Sequence, residues 1–478
     1  MNVPAPNGQL AKTLKPRHLS MIAIAGVIGA GLFVGSGAAI RQAGPGVLLA
    51  YAAAGLVVIL VMRMLGEMAA ANPETGSFSA YADKALGRWA GFSIDWLYAW
   101  FWIIVLGIEA TAGAAIVHRW VPGVDQWAWA LILMVLLTAT NVFSVKSFGE
   151  FEFWFASIKV AAIVVFLILG VLAICGLLPG VPAPGLDNLI GRGGFLPNGP
   201  GAVLAGILVV VFSFFGAEIA TIAAGESADP ATAVKKAVRS TVWRILVFYL
   251  GSIAIVVMLL PWNDASVAKS PYVAVMERYG IPGAGTIMDV VVLVSVLSCL
   301  NSGLYTASRM MFSLARRGDA PKALRRIERS GVPRSAVLAS TVVGFITVAL
   351  NYLYPDTVFL FLVNTSGAIA LFVWLVIAAS QLVLRKRMGA AARDLPLKMW
   401  LFPYLTWATI AAIIGLIVGM AFIDSTRQEL LLSGALALVI IGVGVFRQRT
   451  SAEGFEFWGY RPGENPPKKP TGGGGNGR

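Results

Sequence analysis

The chain has 478 residues, of which 58% are apolar and only 13% charged, with a mean hydropathy of +0.78. Soluble domains carry about 25% charged residues, so this composition excludes a water-soluble globular protein and predicts one that crosses a bilayer many times. The net charge of +13 has to be explained by membrane topology rather than by nucleic acid, and two cysteines and two histidines are too few and too scattered for a disulfide framework or a metal centre.

The first eighteen residues are polar and carry no apolar stretch ahead of a cleavage site, which predicts a retained cytoplasmic segment, residues 1–18, and no removable signal peptide. A span needs about 20 apolar residues. In chain order the apolar segments run over residues 19–41, 46–70, 92–117, 127–144, 155–178, 202–225, 241–260, 285–313, 336–354, 357–384, 401–423 and 429–446. The expectation is an all-α polytopic membrane protein of twelve transmembrane helices, one domain over residues 19–446, with a cytoplasmic, partly disordered tail at 447–478. Most of the 37 Lys and Arg fall in the N-terminus, the even-numbered loops and the tail, which predicts both termini in the cytoplasm. The basic run at 316–334 is then a cytoplasmic loop.

Two places break the helical pattern. The first span holds Gly26-Val27-Ile28-Gly29-Ala30-Gly31-Leu32-Phe33-Val34-Gly35-Ser36-Gly37, five glycines in twelve residues. Each costs roughly 1 kcal/mol against alanine in a helix interior, and unwound backbone at membrane depth is tolerated only against a cavity or buried in protein. The second half of such a broken helix presents amide N–H groups and the positive end of its dipole, a site for an anion such as a carboxylate. Tight helix packing through small residues accounts for the same glycines without a ligand. The sixth span holds Phe212-Ser213-Phe214-Phe215-Gly216-Ala217-Glu218, a glycine followed by a mid-span carboxylate. Five spans separate the two breaks, so they enter from opposite sides. That fits two inverted five-helix units, about 19–178 and 202–384, with a site between them.

Few ionisable residues lie inside spans. Lys159, in Ser157-Ile158-Lys159-Val160, costs about 2.5–3.5 kcal/mol to insert and is either functional or snorkels to the surface. Glu218 either carries a proton or bonds the unwound backbone. Glu109 lies about 18 residues into the third span, toward the outer side, and is a candidate for an outer vestibule or a carboxylate near the surface. Arg63 and Glu67, four apart, are expected to pair. Ser298, Cys299, Asn301 and Ser302 put small polar groups on the eighth span, facing a cavity or other helices.

The segment Leu14-Lys15-Pro16-Arg17-His18 leading into Ile24-Ala25-Gly26-Val27-Ile28-Gly29-Ala30-Gly31-Leu32-Phe33 resembles the amino acid–polyamine–organocation permeases, in particular their bacterial amino acid branch. So do Met64-Leu65-Gly66-Glu67-Met68, Gly76-Ser77-Phe78, Gly149-Glu150-Phe151-Glu152-Phe153-Trp154 and Ser302-Gly303-Leu304-Tyr305-Thr306-Ala307-Ser308-Arg309-Met310, over about residues 12–450. The resemblance implies a LeuT-like fold of ten core helices with broken helices 1 and 6, plus two peripheral helices at 401–446. It implies proton-coupled import of an amino acid across a bacterial inner membrane, 4-aminobutyrate first among the candidates, with proline, aromatic or basic amino acids, or exchange, as alternatives. It puts substrate carboxylate on the backbone at Gly29, Ala30 and Gly31, with Ala30 standing where relatives carry Ser or Thr. It puts the substrate ammonium on the carbonyls of Val27, Phe212 and Phe215 beside Gly216 and makes Lys159 the proton-coupling residue; by their places in the spans, Cys299 and Asn301 are expected on the cavity wall and Glu218 is a second candidate for the proton. No cofactor is implied; the coupling ion is the proton. The sequence Gly-x-x-x-x-Gly-Lys-Ser/Thr is absent, which speaks against ATP-driven transport, and no nucleophile–base pair in the spans suggests an enzyme.

Overall fold

The computed structural model describes residues 28–72, 77–143, 146–219, 230–328 and 332–453. These residues form helices and the loops between them. Nine helical stretches among them are long and apolar enough to cross a membrane, Gly31–Ala71 counted as one, and Gln126–Val142 and Gly199–Phe214 are shorter apolar helices. The last residues of the expected sixth span, 220–225, the start of the expected first span, the expected N-terminal segment and most of the expected tail lie outside the described residues.

Among the described residues the first helical element is a wide π-type turn, Gly31–Gly35, that runs into α1 (Ser36–Ala43). Gly44, at φ +64°, and the turn Gly44-Pro45-Gly46 redirect it into α2 (Val47–Ala71). Proline cannot continue the hydrogen-bond ladder and glycine takes the positive φ without strain, which is why the bend falls there. There follow α3 (Ser77–Leu86), α4 (Arg88–Trp120), α5 (Gln126–Phe143), α6 (Lys146–Ile174) and α7 (Gly199–Phe214). Beyond these come α8 (Pro230–Arg244), a second π-type stretch Ile245–Gly251, α9 (Ser252–Leu259), α10 (Ala265–Lys269) and α11 (Pro271–Arg278). The last helices are α12 (Ala284–Arg317), α13 (Arg334–Leu353), α14 (Val358–Met388), α15 (Tyr404–Ala421) and α16 (Asp424–Glu453). The short helices α3, α10 and α11 stand where only loops were expected. At 10, 5 and 8 residues each is too short to register as a span, and Pro271 opens α11 at a position where a missing N–H costs nothing.

Helix α4 is buried along most of its length, packed by α3, α5, α12, α13, α14 and α16. Its backbone is approached closely at Gly107, where an added Cβ would lie 2.4 Å from Thr347 Oγ1 of α13. Helix α7 packs on α1, α2 and α14. Large apolar side chains such as Leu136, Ile168, Leu431 and Leu438 point outward, a surface that suits lipid tails and not water.

The expected Arg63–Glu67 pair is replaced by longer-range partners. Glu67 accepts from Arg385, from Gln381 Nε2 at 2.8 Å and from the Met399 N–H at 2.5 Å, while Arg63 donates to the Lys398 carbonyl at 2.7 Å and lies over the Trp400 ring. A second network lies where α3, α4, α12 and α16 meet. Arg317 binds Asp83 at 2.7 Å, Asp95 at 3.0 Å and Asp319 at 3.2 Å, and Arg447 also binds Asp319.

Candidate substrate site

The first break opens a helix, as its glycines require. The Phe33 N–H returns to the Gly29 carbonyl at 3.3 Å. The Ala30 N–H donates to both carboxylate oxygens of Glu109, Oε1 at 3.1 Å and Oε2 at 3.0 Å. Glu109, expected in an outer vestibule or near the surface, is instead 1% exposed and seated on the break itself. Its depth along α4 misled because α4 runs from residue 88 to 120, longer than a bilayer requires.

Glycine is needed on both sides of Ala30. A Cβ on Gly29 would lie 2.5 Å from Glu109 Oε1 and 2.7 Å from the Cys299 Cβ; one on Gly31 would lie 2.9 Å from the Ser213 Cα. The two breaks therefore touch, with no room for a side chain between them. Val27 lies outside the described residues.

The second break follows from one residue. Helix α7 ends at Phe214, Phe215 is extended, and Gly216 adopts φ +97°, which L residues avoid. The Gly216 N–H, freed from the helix, donates to Glu218 Oε1 at 2.9 Å. Glu218, fully buried, thus holds the unwound backbone. The Phe212 carbonyl accepts the Phe215 N–H at 3.2 Å and keeps a second lone pair.

Gly31, Glu109, Phe212, Ser213, Phe215 and Cys299, with Phe101, Trp102 and Val105 of α4, enclose one cavity. The volume left open to the centre of a water molecule is about 10 Å³, room for about one water. The aromatic rings close it. Phe101 and Phe215 have centroids 4.0 Å apart, and Phe215 also meets Tyr98 and Trp374, at 5.5 and 5.9 Å. A larger cavity of about 1030 Å³ begins one turn away, with Val34 and Val209 on its wall and Arg41, Asp356 and Glu429 further along it.

Of the eighth-span candidates, Cys299 faces the inner cavity, and Asn301 does not line it. Asn301 Oδ1 accepts from Asn141 Nδ2 of α5 at 2.7 Å. At about 100° per residue, positions two apart lie on nearly opposite faces, so the expectation that both line the cavity fails.

Lys159 of α6 is fully buried, not snorkelled. It lies within electrostatic reach of Glu109, Glu152 and Cys299. Glu152, also fully buried, accepts from Ser298 Oγ at 2.7 Å. Its importance was missed in the sequence, although it stands seven residues before Lys159, two turns away on the same helix face. The site thus combines a small, aromatic-walled cavity, one backbone N–H and the Glu109 carboxylate, with Glu152 and Lys159 buried nearby. That suits a small solute with a carboxylate.

A family model described as amino acid permease matches residues 18–453. The chain belongs to the amino acid permease family, within the amino acid–polyamine–organocation superfamily. It is 58% identical over 446 residues to the gamma-aminobutyric acid permease of Bacillus subtilis (strain 168), covering 93% of this chain and 95% of that one. It is 53% identical to the gamma-aminobutyric acid permease of Escherichia coli (strain K12), covering 91% and 93%. Among solved structures, a manganese transporter from Eremococcus coleocola aligns over 93% of this chain and 97% of that one, with a TM-score of 0.55 and 15% sequence identity, a likeness of fold. The chain is a multi-pass membrane transporter of amino acids, not an enzyme.

Proposed function

We propose that this permease is a symporter that imports 4-aminobutyrate together with protons by alternating access. The observation that carries the reading is the Glu109 carboxylate held by the Ala30 N–H, which supports a carboxylate-binding role for this stretch of backbone. The names of the relatives, gamma-aminobutyric acid permeases at 53–58% identity, support the choice of substrate. In this reading twelve helices form two inverted five-helix units and a peripheral pair, in a bacterial inner membrane with both termini cytoplasmic. The amides at Gly29–Gly31 take the substrate carboxylate, and carbonyls at the breaks, those of Val27, Phe212 and Phe215, take its ammonium. The cavity must widen to admit the substrate, so the closed form is one state of the cycle. Lys159, fully buried, takes and gives up the coupling proton, and Glu218 supports the second break.

The test is counterflow in proteoliposomes loaded with unlabelled 4-aminobutyrate. Uptake of the labelled compound that proline, lysine and phenylalanine fail to block supports the substrate. Counterflow only with another amino acid overturns it.

A further inference from the structure

We propose that the surface where α14 ends, α15 begins and α2 carries Arg63 binds an anionic phospholipid, its phosphate among the cations and an acyl chain along the outer face of α15. This surface shares no residue with the substrate cavity.

Between residues 385 and 398 the sequence places Arg385, Lys386, Arg387, Arg393 and Lys398 against a single acid, Asp394. Arg63 joins them from α2. Its Nε donates to the Lys398 carbonyl at 2.7 Å, and its guanidinium carbon lies 3.8 Å from the centre of the Trp400 ring. Among the described residues only Arg385 has a carboxylate partner, Glu67, which is 3% exposed and also accepts from Gln381 and the Met399 N–H. The others are held by carbonyls and rings, which orient a cation without neutralising it. Arg387 donates to the Lys84 and Ala85 carbonyls at 2.6 and 3.0 Å, and the Lys398 ammonium to the Arg393 carbonyl. Lys386 Nζ lies 5.7 Å from the centre of the Trp407 ring, and among the described residues no hydrogen bond or ion pair engages it.

Beside these cations stand exposed rings. Trp400 is 48% exposed, Tyr404 79% and Trp407 51%. Tryptophan and tyrosine settle at headgroup level, with the apolar body toward the acyl chains and the polar edge in water. From Trp407 the apolar face continues along α15 through Ile414 and Val418, both exposed. Their spacings of seven and four return to one side of a helix. At 1.5 Å per residue the stripe runs roughly 16 Å, about half of a hydrocarbon core, which is the reach of one leaflet. The loop between α12 and α13 is also basic, with Lys322, Arg325 and Arg326 exposed, but among the described residues no large exposed apolar side chain belongs to it. Charge alone suits any soluble anion. Uncompensated charge at a helix end, continuous with an aromatic and aliphatic stripe, suits an amphiphile with an anionic head.

The experiment is native mass spectrometry of the delipidated full chain in detergent, titrated with dioleoylphosphatidylglycerol, dioleoylphosphatidylcholine or inorganic phosphate. The wild type is expected to take up one phosphatidylglycerol at about twentyfold lower concentration than phosphatidylcholine, whose headgroup has no net charge, and inorganic phosphate is expected not to displace it. A cation near an anionic lipid surface is worth about fivefold in affinity, so the double variant Arg63→Gln/Lys386→Gln is expected to lose most of that preference. Arg325→Gln/Arg326→Gln removes the same charge from the loop between α12 and α13 and is expected to keep it. An equal loss in both double variants would assign the preference to bulk charge and overturn the proposal. Displacement by inorganic phosphate would make a soluble anion the occupant and overturn it too. Equal affinity of the wild type for the two lipids overturns it whether or not the variants fold. Lys386→Gln alone breaks no hydrogen bond and is expected to weaken phosphatidylglycerol binding about fivefold; wild-type binding by that variant would remove Lys386 from the site and contradict the assignment.

Discussion

The Ser298 hydroxyl donates to Glu152 Oε1 at 2.7 Å, tying α12 to α6 in the buried interior. Cys299, the next residue on α12, lines the cavity that Glu109 shares, and Glu152 stands two helical turns from Lys159. The cavity and Glu152 are therefore contacted by adjacent residues of one helix.

Lys159→Gln keeps the size of the side chain but not the titrating charge. An inward gradient of one pH unit supports about tenfold accumulation at one proton per substrate. In the variant, accumulation is expected to collapse to equal concentrations while exchange of labelled for unlabelled substrate persists. Preserved accumulation in the variant would remove Lys159 from the coupling step.

Gly31→Leu drives a branched side chain into the backbone of Ser213, whose Cα would already stand 2.9 Å from a Cβ. Uptake is expected to fall at least about tenfold in protein that remains monodisperse, because the two breaks can no longer meet. Wild-type uptake by folded Gly31→Leu would mean that the amides here do not form the site.

Glu218 separates a structural from a titrating role. Glu218→Ala leaves the Gly216 N–H without its acceptor and is expected to cost about 1–3 kcal/mol of stability, read as a lower melting temperature in detergent. Glu218→Gln retains a carbonyl oxygen for that N–H and should melt near the wild type. A similar loss in both variants would show that the charge, not the hydrogen bond, holds the break.

Arg317 is the shared cation of Asp83, Asp95 and Asp319. Arg317→Gln strands carboxylates that are largely buried, and an expected loss of about 3 kcal/mol follows from leaving such charges uncompensated. Thermal unfolding of the variant checks this; an unchanged midpoint would mean that water enters the network.

Much of the architecture was legible in the sequence because long apolar runs and glycine clusters are local signals. The break at Gly29–Gly31 and the positive φ at Gly216 follow from glycine itself. What was not legible depended on which helices become neighbours. Glu109 meets Ala30 across 79 residues, and Glu67 prefers Arg385 and Gln381 of α14 to Arg63 on its own helix. Helix phase would have helped in two cases: Cys299 and Asn301 could not share a face, and Glu152 and Lys159 had to. The depth of Glu109 was misjudged because counting residues from one end assumes a helix that spans the bilayer and no more.

The account's central claim is proton-driven transport of 4-aminobutyrate through the site at Ala30. The most direct test is uptake of radiolabelled 4-aminobutyrate into proteoliposomes, with and without an inward gradient of one pH unit. The account predicts about tenfold accumulation that an ionophore abolishes. Equilibration to equal concentrations, unaffected by the gradient, would contradict it.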